Sequence, residues 1–172
     1  AALLTPQGKY LHDFFVAGID ETLYLDCESD RLMDLGKRLH RYKLRAQVEL
    51  GIGEGMAAYA LFGGGALDAL NLSADAGAAR SLRDGIVYTD PRLPAVGARA
   101  LLPACDAENL LKTLGFHAAD TDSYETLRRE HGLSDGSRDL IVEKSTLLES
   151  NFDELHGVDW DKGCYMGCLL YT

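Results

Sequence analysis

The feature that most constrains the fold is the order of elements in the first sixty residues: two β-rich runs, an amphipathic helix, then more strand. Residues 9–17 and 21–27 are short alternating or β-rich runs, joined across Gly18-Ile19-Asp20, which predicts a β-hairpin. Ser29 or Asp30 is placed to cap the following helix. At 100° per residue, Leu32, Leu35, Leu39 and Tyr42 share one face and Asp34, Lys37, Arg38 and Arg41 lie opposite. Ala46 to Leu50 and Met56 to Phe62 read as strands separated by the glycine-rich Gly51-Ile52-Gly53-Glu54-Gly55. The β-β-α-β order favours split βαβ units in a mixed sheet.

Farther along, Gly63-Gly64-Gly65 opens an alanine-rich stretch to about Arg80 that predicts one short helix. Ile86 to Tyr88 and Arg99 to Leu102 read as strands around the loop Asp90-Pro91-Arg92-Leu93-Pro94, whose two prolines exclude a central strand. Helices are predicted over 106–114 and 121–131, the second with Asp122 and Glu125 spaced as a capping box. Beyond Gly132 the pattern is irregular. A chain of 172 residues suits one domain, or two half-domains sharing a core. It buries roughly 70% of its unfolded surface, so neither disulfide nor metal is needed to hold it together. No apolar run reaches the ~18 residues of a membrane span, and Ala1-Ala2-Leu3-Leu4-Thr5-Pro6 lacks the basic start and long apolar stretch of a secretion signal.

The net charge is −10, which disfavours general nucleic-acid binding. Yet Arg31, Lys37, Arg38, Arg41, Lys43 and Arg45 crowd into fifteen positions, so an RNA-associated module built on that helix stays open. The stretch from Glu149 to Asp161 is the acidic counterpart. Four cysteines at this length do not make a disulfide framework and fit a reducing compartment. Cys27 and Cys105, beside apolar neighbours, read as buried, slow-reacting thiols. Cys164 and Cys168 lack further ligands for a four-coordinate metal. The glycine clusters lack the Lys-Ser/Thr of a phosphate loop and read as turns. The histidines are scattered, and no Gly-x-Ser-x-Gly elbow occurs.

Two segments carry chemistry. In Leu127-Arg128-Arg129-Glu130-His131-Gly132, Arg128 and Glu130 point about 200° apart on a helix, so one of them must find another partner. In Trp160-Asp161-Lys162-Gly163-Cys164-Tyr165-Met166-Gly167, a cysteine sits between glycines that allow close approach and beside a lysine that favours thiolate.

Lys162-Gly163-Cys164-Tyr165-Met166-Gly167 resembles the K-G-C-Y-x-G motif of the YgfZ-type folate-binding proteins, relatives of the glycine-cleavage aminomethyltransferase, or T-protein. Weaker matches follow in the family's order: Leu3 to Lys9, Tyr42-Lys43-Leu44-Arg45, Asp90-Pro91-Arg92, Gly136-Ser137-Arg138-Asp139 and Leu148-Glu149-Ser150-Asn151. The resemblance implies an α+β fold of ferredoxin-like split βαβ halves with mixed or antiparallel sheets. It implies one folate-binding domain over 1–172, with half-domains at about 1–62 and 63–167 and without the family's C-terminal barrel. Arg128-Arg129-Glu130-His131-Gly132 resembles the T-protein's R-x-E-x-G, whose acid contacts the pterin; this carries to Glu130, with Arg128 in support. Glu149, Asn151 and Tyr165 join them as cofactor-binding residues, with Cys164 as the functional, catalytic thiol and Lys162 biasing it toward thiolate. The implied function is a tetrahydrofolate-binding accessory protein for iron–sulfur cluster assembly or repair. Its partners would be iron–sulfur carriers or clients, with an indirect link to tRNA modification and no membrane. Its place would be the cytoplasm, or the mitochondrial matrix in a eukaryote. Cys164 stands where the T-protein has an aspartate, and Asp34 is one position off the T-protein's catalytic acid. A folate-dependent aminomethyl or one-carbon transferase is therefore the alternative.

Overall fold

The computed structural model describes residues 1–163. Strands β1 (Ala2–Leu4), β2 (Tyr10–Ile19) and β3 (Thr22–Cys27) form an antiparallel sheet in that order. The predicted hairpin is β2–β3, closing with Ile19 opposite Thr22. Asp20 in its turn has a φ of 50°, a conformation that aspartate tolerates better than most residues. Strand β1, too short for a periodic signal, pairs Ala2 with Asp13 and Leu3 with His12.

A 3-10 turn (Ser29–Arg31) leads into α1 (Leu32–Lys43). Neither Ser29 nor Asp30 caps this helix, because both are taken into the turn and Arg31 stands at the N-cap without a side-chain bond. Of the predicted apolar face Leu35 is fully buried, Leu32 and Leu39 partly, and Tyr42 is exposed. The strand expected at Ala46 to Leu50 does not form. Its backbone meets no ladder partner, and the segment crosses to the second sheet without regular structure.

The second sheet contains β4 (Met56–Leu61), β5 (Ala79–Leu82), β6 (Gly85–Thr89) and β7 (Ala98–Pro103) in the order β4-β7-β6-β5, all antiparallel. The short helix α2 (Ala66–Ala69) follows β4. Strand β5 lies in the alanine-rich stretch, where three of its four residues are exposed and give no apolar alternation. Gly97 enters β7 at φ 101°, and a Cβ there would overlap the Leu61 carbonyl oxygen of the neighbouring strand. Helices α3 (Ala107–Thr113), α4 (Thr121–Glu130) and α5 (Gly136–Asp139) follow, and the described chain then runs on irregularly through a 3-10 turn at Leu148–Ser150. Asp120, not Asp122, caps α4: its carboxylate accepts the Asp122 amide at 3.2 Å. Glu125 is thereby left for the arginines below.

Period-two alternation gives the second sheet two buried faces. One packs Leu61, Val87, Ala100 and Leu102 against Leu70, Ala107 and Leu111 of the α2–α3 layer. The other packs Ile86, Tyr88 and Leu101 against Ala17, Phe15, Ile19 and Tyr24 of the first sheet. A third cluster of Tyr10, Leu140 and Phe152 fastens the irregular segment after α5 to β2. The α+β class and the antiparallel pairing agree with the expectation from sequence.

Candidate functional site

Where the two sheets face each other they leave a cavity of about 640 Å³, within the size range of small-molecule sites. The β4 residues that border it are Ala58 and Ala60, which do not fill the space a larger side chain would take. Its polar wall comes chiefly from Asp13, Asp26, Glu28, Arg92, Arg99 and Tyr124.

Both arginines of this wall, largely buried, are already engaged. Arg99 donates to Asp26 from Nε at 3.0 Å and Nη2 at 2.5 Å. Arg92 grips Asp90 at both oxygens, Nε to Oδ1 at 3.0 Å and Nη2 to Oδ2 at 2.7 Å, and donates to the Tyr124 hydroxyl at 3.2 Å. The two guanidinium carbons lie 4.2 Å (Arg99) and 4.8 Å (Arg92) from the Phe15 ring centroid, close enough for cation–π attraction. The Arg99 pair, with both nitrogens on Asp26 Oδ2, ties β3 to β7, while the bidentate Arg92–Asp90 pair fixes the loop between β6 and β7.

The carboxylates differ. Burial alone would raise Glu28, but the Ser137 hydroxyl at 2.6 Å and amide at 3.2 Å hold it below its ordinary value. Those donors are presented at Gly136, whose φ is 54° and whose Cβ position lies 3.0 Å from Glu28 Oε2. Asp13 is pushed the other way: burial raises its carboxyl, against the Tyr10 hydroxyl that donates to Oδ1 at 2.8 Å. Asp13 also borders a second, more apolar cavity of about 230 Å³, beside Phe14, Pro91, Phe152 and Leu155. Cys27 borders the larger cavity, yet burial and the adjacent Asp26 charge push its thiol up, away from thiolate.

Of the candidate site residues singled out in the sequence, those that the structure describes line neither cavity. Arg128 is buried in α4 and saturated: Nε and Nη2 bind Glu125 at 3.0 and 2.6 Å, and Nη1 binds Asp139 at 2.6 Å and the Leu133 carbonyl at 3.1 Å. It is the member of the Arg128/Glu130 pair that found other partners. Glu130 is exposed at the end of α4 and lines neither cavity. Glu149 is exposed and accepts from Thr146 Oγ1 at 2.5 Å. Asn151, in a left-handed turn at φ 58°, and Lys162 are both exposed. Cys164 and Tyr165 lie outside the described residues. Cys105 is a correction: it sits exposed in the turn after β7 and is not a buried thiol, because that turn projects beyond the sheet.

Asp13, Asp26, Glu28 and Arg99 went unremarked in the sequence. Their one signal was a charged residue interrupting an otherwise β-rich run, which becomes meaningful only when two sheets bring such interruptions face to face. Among the described residues no group of three or more His, Cys, Asp or Glu is placed to hold a metal ion. Carboxylate acceptors beside the rings of Phe14, Phe15 and Tyr124, in a volume of this size, can take a planar polar ligand.

Two antiparallel sheets facing a polar cavity, with helices on the outer side of the second sheet, make this an α+β domain with room for a small molecule between its sheets. No family model matches the chain. It is 30% identical over 181 residues to a mitochondrial iron–sulfur cluster assembly factor IBA57 homolog of Coccidioides immitis, covering 97% of this chain and 41% of that protein. The homolog of Mycosarcoma maydis is 33% identical over 182 residues, 97% and 40% respectively. The human IBA57 is 30% identical over 174 residues, 97% and 47%. The chain thus spans under half the length of these relatives. These likenesses fit the YgfZ-type, aminomethyltransferase-like family that the sequence resembles.

Proposed function

We propose that this chain supplies the tetrahydrofolate-binding part of an accessory factor for iron–sulfur cluster assembly, acting in mitochondria. The observation that carries the assembly role is similarity over nearly the whole chain to relatives named as mitochondrial iron–sulfur cluster assembly factors. No helix among the described residues is long and apolar enough to cross a membrane. The cavity between the sheets supports the folate reading. Asp13 is the acceptor for the aminopyrimidine edge, since Glu28 is committed to Ser137 and Asp26 to Arg99. Bound tetrahydrofolate would supply a one-carbon carrier. Cys164, biased toward thiolate by Lys162, is the working thiol toward iron–sulfur carriers or clients. Asp13 also gives the one-carbon transferase alternative a partly buried acid.

Two measurements test this. Asp13→Asn removes one acceptor and should weaken tetrahydrofolate binding by ~1.5–3 kcal/mol, the range for a charge-assisted hydrogen bond. Glu130→Gln, on the surface, should leave it unchanged; the opposite pattern moves the pterin to Glu130. In cells lacking the gene, the full-length wild type should restore iron–sulfur enzyme activity and Cys164→Ser should not.

A further inference from the structure

We propose that the segment from Leu44 to Ile52 is a self-complementary strand through which two copies of this chain pair antiparallel about a two-fold axis at Gln47. Leu44, Val48, Leu50 and Ile52 are 83%, 50%, 44% and 57% exposed, a run of large apolar side chains that soluble surfaces rarely leave together. They fall at even positions, with Ala46 between them and Arg45, Gln47, Glu49 and Gly51 at the odd ones. That is the period of a strand with one apolar and one polar face. The backbone from Gln47 to Gly51 makes no hydrogen bond among the described residues, so its donors and acceptors stand open to a partner strand.

The order of charges selects the occupant. Antiparallel pairing of the segment with itself, centred on Gln47, sets Arg45 of one copy opposite Glu49 of the other, twice by symmetry. On the apolar face it sets Leu44 opposite Leu50 and Ala46 opposite Val48. Opposite charges and apolar pairs directly across a ladder stabilise it, whereas like charges oppose it. A two-fold interface requires this self-complementarity. One residue of slip would move Arg45 off Glu49 and bring the apolar set onto the polar face. Formation of the ladder orders the segment as the strand its sequence encodes.

Light scattering on the purified chain over a concentration series tests the pairing. The wild type should dimerise; Arg45→Glu should weaken dimerisation about tenfold by placing Glu opposite Glu twice; Arg45→Glu with Glu49→Arg should restore it. Circular dichroism checks that each variant folds, which exposed positions should allow. Gln47→Cys under mild oxidation should give a covalent dimer whose peptide map contains the 47–47 disulfide. A wild type that stays monomeric at every concentration, a dimer indifferent to Arg45→Glu, or a charge swap that fails to restore it overturns the proposal.

Discussion

Arg128 separates a structural role from a ligand role most sharply, because its side chain is only 2% exposed yet the resemblance to the Arg-x-Glu-x-Gly motif implies a place in support of a pterin-binding acid. The guanidinium bridges α4 to the following turn and α5 by holding Glu125, Asp139 and the Leu133 carbonyl together. Arg128→Met keeps the length and the packing but leaves these acceptors behind. Breaking a buried ion pair in this way costs about 3–5 kcal/mol. Glu125 keeps Arg129 at 3.0 Å and Arg138 at 3.3 Å, and Asp139 is 37% exposed and can turn to water. The loss therefore belongs at the lower end, about 3 kcal/mol. In a domain of this size that corresponds to a melting temperature lowered by roughly 6–12 °C. Arg128→Lys, retaining the charge without the fork, should fall between. Thermal and urea unfolding followed by circular dichroism measure the loss, with tetrahydrofolate titrated into each variant below its transition. A stability change under about 1 kcal/mol accompanied by a marked loss of folate affinity would refute this reasoning and make Arg128 a contact of the ligand.

Further expectations concern pH, surface charge and thiols. Burial lowers the pKa of His12, outweighing the opposing hydrogen bond to Asp34 at 2.8 Å. Its neutral form thus stabilises the fold fully above the unfolded value of about 6.5, and that contribution is lost as pH falls from there toward the depressed folded value. Asp34, lowered chiefly by its bond from Arg38, adds a loss in the same direction at lower pH, below about 3.9. His12→Gln should flatten the upper part of the urea-stability profile; an unchanged slope there contradicts it. Lys37→Glu with Arg41→Glu, both on the solvent side of α1, should change stability by under ~0.5 kcal/mol. Adding Arg38→Glu should cost more, because Arg38 Nε binds Asp34 at 2.8 Å and the change sets two carboxylates together. Limiting iodoacetamide should mark Cys164 and the exposed Cys105 before the half-buried Cys27, which peptide mapping reads directly; Cys27 reacting first would contradict the burial assigned to it.

Local rules carried far along this chain. The β2–β3 hairpin, α1, and strands β4, β6 and β7 follow from alternation, helical spacing and glycine punctuation, because those elements bury a face of their own. Misreadings arose where a neighbour decides. Ser29 and Asp30 have the chemistry of caps, but the turn that starts early consumes them. Asp122 looked like a cap until Asp120 took the place. Residues 46–50 have the composition of a strand without a ladder. The cavity was the least legible part. Asp13, Asp26 and Arg99 come from strands separated by up to 86 positions and meet only through the packing of one sheet on the other. The Arg128–Glu130 motif, by contrast, stood out in the chain, yet its arginine serves the joint between α4 and α5.

A crystal structure with tetrahydrofolate tests the account most directly. The ligand should lie in the cavity between the sheets, with its aminopyrimidine edge donating to the Asp13 carboxylate and its ring system beside Phe15. A pterin held at Glu130 on the surface, or a cavity that stays empty at saturating tetrahydrofolate, contradicts it.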